Sequence, residues 1–83
     1  MELKYTTSDT ENLVDAFAKI SEHKDDLSIV AKEMKKLMIE YPPKIIETFL
    51  HCIEMLENKH DEDYLKENYM GVIGYITLRL NFA

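Results

Sequence analysis

The sequence predicts an all-α domain, either an antiparallel four-helix bundle or two helical hairpins, and three observations predict it. Apolar residues recur at three-four spacing through most of the chain. Prolines and short polar residues punctuate these runs where helices start and stop. The loops between them are brief, and four short helices so joined give an antiparallel bundle or a pair of hairpins.

The first helix opens near Ser8 and Glu11, whose spacing matches a capping box. It carries Leu13, Val14, Phe17 and Ile20 and ends near His23 or Lys24. In the second, Leu27, Val30, Ala31, Met34, Leu37, Met38 and Tyr41 fall on one face. Asp25 or Asp26 can cap its start by accepting from a free amide. Tyr41 ends it, because Pro42 disfavours the α conformation in the residue before it. Pro42-Pro43 opens the third, since proline suits a first helical turn. Its inward stripe is Ile45, Ile46, Phe49, Leu50, Ile53 and Leu56; Lys44, Glu47, His51, Glu54 and Asn58 lie opposite.

The last segment admits two readings. Asp61 to Asp63 favour a helix start through the dipole, and Leu65, Tyr69, Val72, Ile73, Ile76 and Leu80 keep helical spacing. Against this, Gly71 and Gly74 each weaken a helix by roughly 1 kcal/mol relative to alanine. Residues 75–82 also alternate apolar and polar, as do Leu3 and Tyr5 against Glu2, Lys4 and Thr6. An α+β fold with short terminal strands near 3–6 and 75–82 is therefore the alternative. As a helix, the segment after Met70 is apolar nearly all round, which implies a central position or an exposed oligomer face.

Eighty-three residues suit one domain, 1–83, that buries roughly 60–65% of its unfolded surface. Hydrophobic residues at 46% beside charged residues at 31% suit a globular chain rather than a disordered one. Cys52 is the only cysteine, so no intramolecular disulfide forms; together with a Met1 end lacking a signal pattern, this makes a cytoplasmic location the expectation. No apolar stretch approaches the roughly 20 residues that span a bilayer. The net charge of −6 and a single arginine, Arg79, disfavour direct nucleic-acid binding and favour a basic protein partner.

No constellation carries catalysis or a cofactor, and the expectation is a protein that is not an enzyme. His51, Cys52, Glu54 and His60 come nearest to a metal set, but neighbours such as His51 and Cys52 point about 100° apart on a helix. Cys52 reads as a small buried hydrophobe. Met34, Met38, Met55 and Met70 read as core filler on or beside apolar faces. No glycine-rich phosphate loop exists. The acidic run is more informative. Glu54, Glu57, Asp61, Glu62, Asp63 and Glu67 gather around the third loop with Tyr64 and Tyr69 among or beside them. Solvated helix-end charges account for part of this. As a docking surface, the carboxylates would steer a basic partner and tyrosine would anchor it.

Met1-Glu2-Leu3-Lys4, followed by Ser8-Asp9, resembles the opening of the colicin nuclease immunity proteins, small acidic four-helix proteins that neutralise a cognate toxin domain. Glu40-Tyr41-Pro42 resembles that family's Tyr-Tyr-Pro recognition segment, which would make Tyr41 an anchor. Two features differ. The tyrosine is single, and a full helix follows Pro42 where the family has a very short one. Size and charge are also similar to the broader class of helical toxin-immunity proteins, including contact-dependent systems. The resemblance implies an inhibitor that covers a toxin or nuclease site. A self-associating adaptor and a phage-encoded blocker of a host nucleic-acid-binding protein are the alternatives.

Overall fold

The first helix starts one step earlier than Ser8 and Glu11 suggest. In the computed structural model, which describes residues 3–83, Thr6 is the N-cap of α1, Thr7–Glu22. Its hydroxyl accepts from the Asp9 amide at 3.4 Å, and the Asp9 carboxylate accepts from the Thr6 amide at 2.9 Å. Thr6 and Asp9 thus form the capping box. Asp9 is the better partner because it also receives the Tyr41 hydroxyl at 2.9 Å, tying the helix start to the end of the second helix.

Helix α2, Leu27–Glu40, is capped by Asp26, whose carboxylate accepts from Ser28 and Ile29. It stops at Tyr41, which is extended at φ −131°, ψ 141°, as a residue before proline should be. The helix is turned from the expected face. Leu37 and Glu33 are buried and Val30 and Met34 partly so, whereas Leu27, Ala31 and Met38 are exposed. The cause is a single main neighbour, α1, to which α2 is pinned by Lys19–Glu33 at 3.1 Å and by Tyr41–Asp9. Met70 is likewise exposed, so two of the four methionines expected as filler face solvent.

Helix α3, Pro43–Lys59, begins as expected with Pro42 as N-cap and Pro43 in the first turn. Ile45, Ile46, Phe49 and Cys52 are buried, with Ile53 and Leu56 partly so; Leu50 is exposed.

The single last helix becomes two: α4, Glu62–Glu67, and α5, Tyr69–Asn81. The break is Asn68, whose side-chain amide donates to the Tyr64 carbonyl at 2.9 Å, beside its own backbone amide at 3.0 Å. A side chain that takes a helical carbonyl competes with helix continuation, and Asn68 leaves the helical conformation at φ −109°, ψ 27°. Helix α5 lays Ile73, Ile76, Thr77 and Leu80 against α1 and α3.

The terminal strands do not form: among the described residues there is no strand, and 75–82 are helix and its cap. The two termini meet nevertheless. Asn81 accepts from the Tyr5 amide at 2.9 Å and donates to the Tyr5 carbonyl at 2.9 Å. One side-chain amide thus satisfies both backbone groups that a neighbouring strand would have paired.

The core lies where α1, α3 and α5 converge. Leu13, Phe49, Ile73, Ile76 and Leu80 are fully buried there, and Phe17 stacks on Phe49 with centroids 5.5 Å apart. Helix α5 runs antiparallel to α1, so that Thr10 meets Thr77 at 2.6 Å as Tyr5 meets Asn81. Thr77 donates to the Ile73 carbonyl at 2.7 Å, which leaves Thr10 to donate to Thr77.

Candidate functional site

A groove of about 370 Å³ opens where α1, α3 and α4 diverge. Residues of α1 and α3 form its two long walls, and Leu65 of α4 and Val72 of α5, on either side of the Asn68 break, close one end. Val14, Phe17, Leu50, Ile53, Leu56, Leu65 and Val72 line it, and Glu57 is the only charged lining residue. Leu50 is exposed here because the groove is open at its side of α3.

Glu57 also borders an adjoining hollow with His60, Asp61, Glu62 and Leu65. The structure therefore brings together Glu57, Asp61 and Glu62 of the carboxylates marked in the sequence. Glu54 stands exposed one turn back on α3, and Asp63 and Glu67 are exposed on α4 outside the hollow. Asp61 is the N-cap of α4 and accepts from the Tyr64 amide at 2.8 Å. Glu62 pairs with Lys66 at 3.2 Å, an exposed contact that leaves the charge hydrated. The span from Glu54 to Glu67 holds six carboxylates against Lys59 and Lys66, four of the chain's six net negative charges.

Tyr64 stacks on His60 with centroids 3.9 Å apart and rings within 13° of parallel. The pair forms an aromatic plate at the acidic edge, half open to solvent. Tyr69, at the start of α5, lies by Glu11 and Asp15; partial burial, then those two carboxylates, raise its hydroxyl above the usual range.

Tyr41, the anchor implied by the family resemblance, is not available to a partner. It is buried against Tyr5, and burial, then its bond to Asp9, raises its hydroxyl above the ordinary tyrosine range. Met1 and Glu2 of the same resemblance lie outside the described residues.

His51 and Cys52 point apart, the first exposed and the second buried. Burial pushes the Cys52 thiol up, partly offset by the Arg79 guanidinium. Among the described residues no three His, Cys, Asp or Glu side chains converge as metal ligands, and no helix is long and apolar enough to cross a membrane.

The groove itself was not visible in the sequence. Its walls come from four helices, and residues such as Val14 and Leu65 read only as core positions. The one available signal was Glu57, an acid falling on the same side of α3 as Leu50 and Ile53. Compared with protein-family models, with curated proteins and with solved structures, the chain finds no match in any of the three.

Proposed function

We propose that this protein is a binding inhibitor of the immunity type, which covers a basic site on a toxin or nuclease domain with its acidic edge and the groove beside it. One observation carries the reading: Glu57 belongs both to the apolar groove and to the adjoining hollow with Asp61 and Glu62. A basic amphipathic segment matches that pairing, with an apolar side chain in the groove and a lysine or arginine over Glu57, Asp61 and Glu62. Exposed carboxylates contribute mainly to the speed and specificity of encounter, whereas the groove and the Tyr64–His60 plate supply area to desolvate. The inhibitor would act by occlusion, with no chemistry of its own. Small size, acidity and the absence of a disulfide framework suit a partner made in the same cytoplasm.

The test is a search of the neighbouring reading frames for a toxin domain, then association with it followed by stopped-flow at rising ionic strength. Association should slow by about tenfold or more between low and high salt, as electrostatically steered encounters do. Glu57→Lys should slow association and Leu50→Glu should speed dissociation. A rate indifferent to salt and to both substitutions would reject the surface. Competition by duplex DNA for one host DNA-binding protein, with no effect on any toxin, would instead favour the blocker.

A further inference from the structure

Helix α2 packs chiefly on α1, and its outward side is left open. Taken around the helix at about 100° per residue, Leu27, Met38, Ala31, Lys35, Ile39 and Lys32 follow one another across an arc of about 140°. All six are exposed, Leu27 at 79%, Met38 at 60% and Ile39 at 78%. No carboxylate falls within the arc, although the chain has 16 acidic residues against 10 basic ones. Of the two acids on α2, Glu33 is turned inward to Lys19 of α1, and Glu40 borders a hollow on that same side. Asp26, at the N-terminal edge, accepts from the Ser28 and Ile29 amides. The outward face is therefore apolar and positive in a chain of net charge −6.

We infer that this face rests on an anionic lipid surface, with α2 lying in the plane of the headgroups. The position of Lys35 selects that occupant. It stands within the arc, with Leu27, Met38 and Ala31 on one side and Ile39 on the other. In a protein interface a central lysine must be desolvated against a buried partner, and lysine is depleted there. At a bilayer surface the same arrangement is favourable. The apolar side chains enter the acyl boundary, while the flexible lysine stem lies along them and carries its ammonium to the phosphates.

Two other occupants fit the face poorly. The same face of a second copy, related by a two-fold axis, would set Lys32 and Lys35 against their own copies. Nucleic acid would pair with the lysines but leave Leu27, Met38 and Ile39 facing sugar and phosphate. The α2 face is also separate from the groove. Asn12, Asp15 and Lys19 of α1 border the hollow shared with α2, whereas Val14, Phe17 and Ala18 line the groove, so the two surfaces use opposite sides of α1. The inference does not rest on the inhibitor reading.

Co-sedimentation of the full chain with vesicles of phosphatidylglycerol and phosphatidylcholine, beside vesicles of phosphatidylcholine alone, tests it at up to about 5 mM lipid. The chain should pellet with the anionic vesicles, bind the neutral ones at least about tenfold more weakly, and be released as salt rises. Each lysine at such a surface contributes about a factor of five, so Lys35→Gln should weaken partitioning about fivefold and Lys32→Gln/Lys35→Gln about 25-fold. Ile39→Ser should weaken it at least about threefold without changing the charge. Leu78→Ser, on the exposed side of α5, should leave it unchanged, and far-UV circular dichroism should be the same for every variant. No binding to anionic vesicles at that lipid concentration would overturn the inference. So would equal binding to both vesicles, or binding that Leu78→Ser weakens and Ile39→Ser does not. Capture by polyglutamate that anionic vesicles fail to compete away would assign the face to an acidic protein and overturn it equally.

Discussion

The two buried threonines offer the sharpest test of the packing between α1 and α5. Thr77 gives its proton to the Ile73 carbonyl, so the 2.6 Å contact with Thr10 runs from Thr10 to Thr77. Both residues are buried, and no buried side-chain polar atom lacks a partner among the described residues. Valine replaces threonine in shape but cannot hydrogen-bond, and the two single changes then differ in what they strand. Thr77→Val leaves the Thr10 hydroxyl buried without its acceptor and should cost about 1–3 kcal/mol. Thr10→Val removes the donor but leaves Thr77 bonded to Ile73, and should cost only about 0.5–1 kcal/mol. Thr10→Val/Thr77→Val strands nothing and should lie near the wild type, giving a coupling of about 1.5–4 kcal/mol. For a domain this size each kcal/mol moves the thermal midpoint by about 4–8 °C, so the pattern is resolvable by thermal circular dichroism, with urea melts for free energies. Equal single costs with an additive double change would refute the assigned proton direction and the claim that the pair acts as a unit.

Other expectations follow from the same contacts. Asn81→Ala removes three hydrogen bonds of 2.8–2.9 Å, two to Tyr5 and one to the Thr77 carbonyl, and should cost about 2–3 kcal/mol. Faster amide exchange at Tyr5 should accompany that loss, and unchanged exchange would deny the clamp. The Thr6 amide, then the Tyr41 hydroxyl, hold the Asp9 carboxyl below its ordinary range against the opposing effect of burial. A depressed folded value means this contribution is complete above the unfolded value near pH 4 and is lost as pH falls through the lower folded one. Urea melts from pH 6 to pH 2 should therefore show a shallower acid loss in Asp9→Asn than in the wild type, and identical slopes would contradict the assignment. Buried Cys52, with its thiol pushed up, should react with a maleimide at neutral pH much more slowly than in the urea-unfolded chain. Equal rates would show that α3 opens readily.

The helices themselves are legible in the residues, because their signals are local. Pro42 and Pro43 stop one helix and start the next, Asp26 caps, and the Ile45–Phe49 stripe faces inward, each through interactions within a turn or two of chain. Clustering of carboxylates from Glu54 to Glu67 is equally a property of the sequence, since charge does not need folding to be counted. Where the choice lay between two local solutions, distant contacts decided it. Ser8 and Glu11 had the right spacing for a cap, yet Thr6 and Asp9 form it, with Asp9 also taking the Tyr41 hydroxyl from 32 residues away. The α2 face was misplaced because periodicity reports which residues are apolar, not which neighbours exist; with α1 as the main partner, Leu27 and Met38 have nothing to pack against. Alternation over 75–82 pointed to strands meeting at the termini. The termini meet through the Asn81 amide instead, a contact spanning 76 residues that no local pattern encodes. The groove beside Glu57 belongs wholly to the tertiary structure. Its walls come from four helices, so the space between them is set by how those helices pack and not by the composition of any one of them.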